Sequence, residues 1–324
     1  MSGVIRVGTR GSALAMAQTK AIAQRLGSAA KAEIELVPVT THGDTSRESL
    51  SSLGGTGVFA SALRESLLAD ECDVIVHSLK DLPTADYPGI RLAATPKRVD
   101  ARDTLCARDG YTLETLPEGA RVGTGSPRRV AQLRAVRPDL DIVDIRGNID
   151  SRLARVSDDL ELDDPQRLDA ILLAAAGLGR LGKLDHVSEY LDLYAWPTAP
   201  GQGSLALEVR TGSLDRSLAS ALETVNHNST AATTLAERLV LAGLEAGCSA
   251  PIGATASFED ELLFLTTTVY SHDGMRSLTS SHAAMPETNS PANLLEAARE
   301  ISSRVVNELL GNGAADLASL KGTP

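Results

Sequence analysis

Apolar and polar positions along the first half of the chain alternate between two periods. Residues 4–8 form a short apolar run interrupted only by Arg6 and closed by Gly8, the pattern of a buried strand. Over residues 12–26 the apolar positions Leu14, Ala15, Ile22 and Leu26 follow helical spacing, and Gly27 stands where a helix C-cap belongs. Residues 34–40 are rich in β-branched side chains and predict a second strand. A polar, Gly-rich stretch at 41–57 predicts a long loop, and helical spacing returns over 58–69 through Phe59, Leu63, Leu67 and Leu68. Residues 73–77 are again apolar and run into the polar turn Ser78-Leu79-Lys80-Asp81. Strand, helix, strand, helix and strand at this spacing predict parallel strands joined by crossover helices.

The pattern restarts near Asp100. Residues 103–108, 121–123, 142–145 and 170–175 read as strands, with helices at 127–136, where Pro127 takes the first position, and at 149–156. A further strand, 205–209, follows the turn 199–203. Beyond Asn226 the character changes to a long helix over 229–246, with Asn228 as N-cap and Gly247 as its stop. Antiparallel strands at 252–257, 261–270 and 276–282 follow, turning at Glu259-Asp260 and Asp273-Gly274, and an amphipathic helix over 294–310 closes the chain at Gly311. The expected plan is two α/β lobes and a small α+β domain. Residues 1–99 with 200–220 form the first lobe, completed by the chain returning after Gly203; residues 100–199 form the second, and 221–324 the C-terminal domain.

Composition narrows the function classes. With 324 residues, 43% hydrophobic and 23% charged, the chain has ordinary globular usage and material for proper cores. A net charge of −11 and only 3% aromatics argue against a nucleic-acid binder that relies on phosphate contacts or base stacking. No apolar run approaches a membrane span, no signal core follows a basic tract, and the three cysteines, Cys72, Cys106 and Cys248, exclude a disulfide framework. A cytoplasmic location is the expectation.

Ligands of open α/β sheets bind beyond the carboxyl ends of the strands. At those positions stand Arg10 and Ser12, then Lys80 and Asp81, then Ser126, Arg128 and Arg129, then Arg146, Gly147 and Arg152, and finally Arg180. Helix N-termini and arginine forks both favour anions, so the set predicts a cleft for a small polyanion. Each arginine taken singly reads as well as a surface salt bridge. Asp81 is the exception in a cationic mouth, either capping a turn or pairing with Lys80, or stabilising positive charge on a bound substrate. Cys248, in Gly247-Cys248-Ser249-Ala250-Pro251, is a nucleophile or attachment point if accessible and otherwise inert, whereas Cys72 and Cys106 read as packing residues. The glycines match neither a dinucleotide fingerprint nor a Walker loop, and no His or Cys spacing indicates a metal.

Seven ordered motifs carry a family resemblance. They are Val7-Gly8-Thr9-Arg10-Gly11-Ser12; Val76-His77-Ser78-Leu79-Lys80-Asp81-Leu82-Pro83; Val122-Gly123-Thr124-Gly125-Ser126-Pro127-Arg128-Arg129; Asp144-Ile145-Arg146-Gly147-Asn148; Ala176-Gly177-Leu178-Gly179-Arg180-Leu181-Gly182; Pro200-Gly201-Gln202-Gly203; and Glu245-Ala246-Gly247-Cys248-Ser249-Ala250-Pro251-Ile252-Gly253. Through them the chain resembles the porphobilinogen deaminase (hydroxymethylbilane synthase) family along nearly its whole length. The resemblance implies two similar α/β lobes of the periplasmic-binding-protein-like kind with a C-terminal α+β domain. It also implies a monomeric, cytoplasmic transferase of tetrapyrrole and haem synthesis. Such an enzyme joins four porphobilinogen units head to tail, releases ammonia each time, and frees hydroxymethylbilane with water for a downstream cyclising enzyme.

The family uses one covalent dipyrromethane cofactor per chain, and the attachment position matches Cys248. Asp81 matches the catalytic aspartate. Lys80, Asp81, Ser126, Arg128, Arg129, Arg146 and Gly147 match cofactor-binding positions, and Arg10, Ser12, Arg146, Arg152, Arg180 and Gln202 substrate-binding ones. Phe59 matches a residue covering the site, although helical spacing equally gives it a core role. Thr56 stands where the family commonly has lysine, His42 where arginine is frequent, and Pro127 where leucine is. The competing readings are a non-enzymatic bilobal anion-binding protein and a transferase using the cysteine as nucleophile; the latter requires a histidine base, and the nearest in sequence is His227.

Overall fold

The structure is a computed structural model and describes residues 3–40, 58–161, 163–247 and 250–318. The expected loop 41–57, including His42 and Thr56, and the residues Cys248 and Ser249 lie outside the described residues; for Phe59 only the backbone is described.

The first sheet contains β1 (Val4–Arg10), β2 (Glu33–Val39), β3 (Val74–Ser78), β4 (Ile90–Ala94) and β10 (Leu205–Arg210), in the order β2-β1-β3-β10-β4. Its first three strands are parallel, and β10 runs antiparallel to both β3 and β4. The second sheet contains β5 (Asp103–Ala107), β6 (Arg121–Gly123), β7 (Asp141–Val143), β8 (Ala170–Ala174) and β9 (Glu189–Tyr190), in the order β7-β6-β8-β5-β9. Here too three strands are parallel and the fourth, β5, is antiparallel to its neighbours. The two sheets therefore share one plan: the parallel strands expected of the strand–helix–strand–helix–strand run are β1, β2 and β3, and each sheet adds an antiparallel strand to such a set. The reason is topological: β5 and β10 are the strands by which the chain enters the second sheet and returns to the first, so neither is fed by a crossover helix.

Both sheets are covered on two faces, which explains the near-continuous apolar strands. In the first, α1 (Ala13–Ala30) and α6 (Arg216–Val225) bury Ile22, Leu26, Leu218 and Leu222 against Val7, Val76 and Leu207. On the other face α2 (Val58–Leu68) packs Leu63 and Leu67 on Ile75 and Ile90. In the second sheet, α3 (Pro127–Val136) lays Leu133 on Leu105, Val122 and Leu172. The opposite face, with Ile171 and Leu173, meets Leu153 of α4 (Ile149–Leu153) and Leu178 of α5 (Ala175–Arg180).

Gly27 does not cap α1. The helix continues to Ala30 and is capped by Lys31 at φ 52°, while Gly27 lies against β2, where a Cβ would stand 2.7 Å from Ile34 Cγ1. That glycine marks a close helix–strand approach, not a helix end. Other bounds also shift. The helix expected from 229 is α7 (Asn228–Gly243), capped by the His227 ring, which accepts from Thr230 N. α5 and α6 went unpredicted, as did β4 and β9, a strand of two residues.

The C-terminal unit is an antiparallel sheet, β11 (Ile252–Glu259), β12 (Leu262–Tyr270) and β13 (Ser277–Ala284), with α7, α8 (Pro291–Gly311) and α9 (Ala314–Ala318) around one apolar core. Glu237 of α7 is fully buried and ties this unit to the rest. Its carboxylate accepts from Arg98, from the backbone N–H of Gly201 at 2.7 Å and from that of Ala256 at 2.8 Å. Among the described residues no helix is long and apolar enough to cross a membrane.

Candidate active site

The two segments that cross between the sheets run side by side. Val99 N–H donates to Gly203 O, and Arg98 Nε donates to Gln202 O at 2.8 Å. Gly203 adopts φ +85°, and a Cβ there would stand 2.8 Å from Val99 O, so this close crossing requires glycine. Beside it opens a cleft of about 940 Å³ between the sheets.

Each sheet contributes the carboxyl ends of its parallel strands. From the first come Arg10 and Ser12 at the end of β1, and Ser78 and Lys80 at the end of β3. From the second come Arg129 on α3, Arg146, Gly147 and Arg152 around the start of α4, and Arg180 at the end of α5. Gln202 and Gly203 complete the wall. Six basic side chains thus meet from five strand ends. Asp150 is the acid among the described lining residues, and it is paired with Lys183 at 2.8 Å.

Burial shapes these charges. It lowers the Arg180 guanidinium to about 10, while Arg180 donates to Gly203 O at 2.8 Å. It also lowers Arg152, with Arg129 and Arg146 adding repulsion; Arg152 is held by donation to Gly147 O at 2.9 Å. Lys80 is lowered by burial to about 8, against the pull of the neighbouring Asp81. Crowding like charges in a partly dry space is unfavourable unless an anion completes it.

Behind the wall lies a carboxylate that the pattern of the sequence did not single out. Asp103, at the start of β5, is fully buried and accepts from four side chains: Arg128 Nη1 at 2.8 Å, Arg129 Nη2 at 2.6 Å, Trp196 Nε1 at 3.0 Å and Gln202 Nε2 at 2.8 Å. Burial works to raise its pKa, but the two guanidiniums overcome that and hold the carboxyl well below the usual range. Gln202 relays the network forward, since its Oε1 accepts from Lys80 Nζ at 3.3 Å. One buried acid thereby fixes Arg129 in the second lobe and, through Gln202, touches Lys80 of the first.

The predicted residues fall into three groups. Arg10, Ser12, Lys80, Arg129, Arg146, Gly147, Arg152, Arg180 and Gln202 come together at the cleft. Ser126 and Arg128 stand outside its lining. Ser126 caps α3 by accepting from Arg129 N, and Arg128 is turned to Asp103, Gln132 and the carbonyl of Pro197. Asp81 is exposed in the one-turn 3-10 helix Leu79–Asp81; it stands outside the cleft lining, next in the chain to Lys80, which is part of it. Cys72, just before β3, and Cys106, in β5, are both buried, as packing residues are.

Comparison with known proteins adds an independent finding. The family described as "Porphobilinogen deaminase, dipyromethane cofactor binding domain" matches residues 5–217, and "Porphobilinogen deaminase, C-terminal domain" matches residues 231–310. A porphobilinogen deaminase of Leifsonia xyli is 64% identical over 323 residues, covering 99% of this chain and 96% of that one. Another, of Cutibacterium acnes, is 48% identical, covering 98% and 97%. Among solved structures, a TRAP periplasmic solute binding protein of Desulfovibrio salexigens aligns at TM-score 0.40 and 10% identity, covering 70% of this chain and 73% of that one.

Proposed function

The chain belongs to the porphobilinogen deaminase family, and on that footing we propose how its residues perform the family's reaction. The reaction is that of a hydroxymethylbilane synthase, a transferase that joins four porphobilinogen molecules head to tail with loss of ammonia, on a dipyrromethane cofactor. One observation carries the residue assignments: six basic side chains from five strand ends meet in one cleft, with a carboxylate-bearing turn at its edge.

The residues present fit such a cofactor. Each pyrrole carries an acetate and a propionate, and the cleft offers forked guanidiniums that pair with carboxylates. Among the described residues, the buried Nε of Arg129 has no acceptor, a donor still to be satisfied. When bound, the cofactor supplies a two-pyrrole primer on which the product chain grows. Arg129, Arg146, Lys80 and the backbone at Gly147 hold its carboxylates, while Ser126 and Arg128 act from behind the wall by fixing α3 and Asp103. Arg10, Ser12, Arg152, Arg180 and Gln202 receive the incoming substrate. Cys248 is the attachment point, and Phe59 covers the site.

Asp81 provides a carboxylate beside a cationic mouth. As ammonia leaves porphobilinogen, its aminomethyl carbon becomes cationic, and the pyrrole that attacks it then carries positive charge on nitrogen. An ionised Asp81 stabilises both charges and takes the proton released when the ring regains aromaticity. The same reading makes the protein a cytoplasmic monomer whose product passes to a cyclising enzyme, divided at 1–99 with 200–225, 100–199 and 226–324; the expected boundary at 220 moves to 225 because α6 (Arg216–Val225) packs whole on the first sheet. The shared sheet plan and the return of β10 to the first sheet support that division.

Purified protein should consume porphobilinogen, and its intact mass should exceed the sequence mass by one dipyrromethane. The addition should map to the tryptic peptide containing Cys248, not to those of Cys72 or Cys106. Unmodified protein that turns substrate over, or an adduct on another residue, rejects the Cys248 assignment.

Lys80 gives a pH signature. Its charge is present below about 8 and lost above, so assembly of the cofactor by the apoprotein should slow as pH passes that value. Lys80→Arg, whose charge persists, should flatten this limb; a limb unchanged by Lys80→Arg belongs to another group. The stability effect has the opposite direction. Because the folded value of about 8 lies below the ordinary lysine value of 10.5, the unfolded chain holds more protons between them. Lys80's contribution to stability therefore rises with pH across that window.

A further inference from the structure

We propose that Arg238, on α7 of the C-terminal unit, is a positioning residue for the Asp81 carboxylate. This rests on the assignment of Asp81 made above. The 3-10 helix Leu79–Asp81 is a weak element taken alone, closed by a backbone bond from Leu82 N to Leu79 O at 3.1 Å. Its entry is fixed, because Leu79 is fully buried and its N–H donates to Ser204 O at 3.0 Å. Its exit depends on a residue more than 150 positions away in sequence. Arg238 Nη1 donates to Leu82 O at 2.7 Å and to Leu79 O at 3.4 Å, and its Nη2 donates to Pro83 O at 2.7 Å.

One planar guanidinium therefore binds carbonyls on both sides of Asp81. Carbonyls at a helix C-terminus are the groups left without intrahelical donors, and a rigid cationic fork fixes their direction as well as satisfying them. Arg238 is half-buried and is not part of the cleft wall, so it acts on the reaction through the turn. The adjacent residue, Glu237, binds the backbone of Gly201 and so holds the loop that carries Gln202. A single turn of α7 thus grips both loops that bring Lys80, Asp81 and Gln202 to the cleft. Cys248 follows Arg238 by ten positions along the same segment of chain. The C-terminal unit in this way sets where the carboxylate-bearing turn stands relative to the loop of Gln202.

The test compares Arg238→Met and Arg238→Lys holoenzymes with wild type, and Arg238→Met in an Asp81→Ala background. Arg238→Met should lower kcat at least about ten-fold while KM for porphobilinogen stays within about two-fold, because misplacement of a reacting group acts on the transition state. The thermal midpoint should change by only a few degrees, and Arg238→Lys should recover part of kcat. In the Asp81→Ala enzyme, Arg238→Met should have no further effect on kcat. Undiminished kcat in Arg238→Met beside a crippled Asp81→Ala overturns the positioning role and leaves Asp81 its function. An equal loss in both backgrounds, or a loss that follows the fraction unfolded, overturns it as well. Near-normal turnover in Asp81→Ala removes the assignment of Asp81 itself, and the proposal with it.

Discussion

Asp81→Ala is expected to lower kcat about 100- to 1,000-fold, the usual effect of removing a preorganised group that stabilises charge only in the transition state. The cleft explains why the effect is large. Arg10, Lys80, Arg129, Arg146, Arg152 and Arg180 line it, and the lining acid Asp150 is already paired with Lys183. That field favours carboxylate-bearing ligands and opposes the cation formed when ammonia departs. A nearby carboxylate has to reverse the potential locally, and the turn after β3 supplies it. Binding should survive, since the arginines remain, so the enzyme should retain its cofactor and accumulate bound substrate. Asp81→Glu keeps the charge but displaces it by about one methylene, and should also be slow where geometry sets the rate. Steady-state kcat and KM, with intact mass of the enzyme during turnover, check this. A kcat near that of wild type removes Asp81 from the chemistry, and a raised KM with unchanged kcat makes it a ground-state contact.

Asp103→Ala is expected to destabilise the folded chain by about 3–5 kcal/mol, the range for removing one partner of a buried ionic network. Arg128 and Arg129 are both nearly fully buried, and Asp103 is the carboxylate bound by both. Without it two guanidiniums stay in a dry environment, keeping, among the described residues, the carbonyl of Leu172, the Gln132 amide and the carbonyl of Pro197 as acceptors. Trp196 Nε1 loses its acceptor, and Gln202 retains Ala101 O for its amide donor. Urea unfolding followed by tryptophan fluorescence reads both effects, since Trp196 is the sole tryptophan. Arg129 would be free to turn from the cleft, so residual folded protein should also assemble its cofactor poorly. A change below about 1 kcal/mol would show that the network contributes little.

The apolar runs at 4–8, 73–77 and 170–175 and the helix at 127–136 were legible because each side chain there meets a covered sheet or its helix partner within one element. The basic residues of the cleft were legible for a related reason. Strand-to-helix junctions gather at one edge of an α/β sheet, so their positions along the chain already imply proximity. Gly27 misled because glycine serves a helix end and a close helix–strand contact equally well, and only the position of Ile34 distinguishes them. β9 escaped because two residues carry no period. Ser126 and Arg128 lie in the right motif, yet the fold turns them toward α3 and Asp103.

The sequence by itself determined the α/β pattern, the anion-seeking strand ends, the odd acid at Asp81 and the family motifs, since all of these depend on neighbours in the chain. Only the tertiary structure decided that β10 returns antiparallel beside β3, that Asp103 binds Arg128, Arg129 and Gln202, and that Arg238 reaches the turn of Asp81. Those contacts join residues from 25 to 156 positions apart. A buried polar group must find a partner wherever packing provides one, and no local period records which distant segment packing will bring.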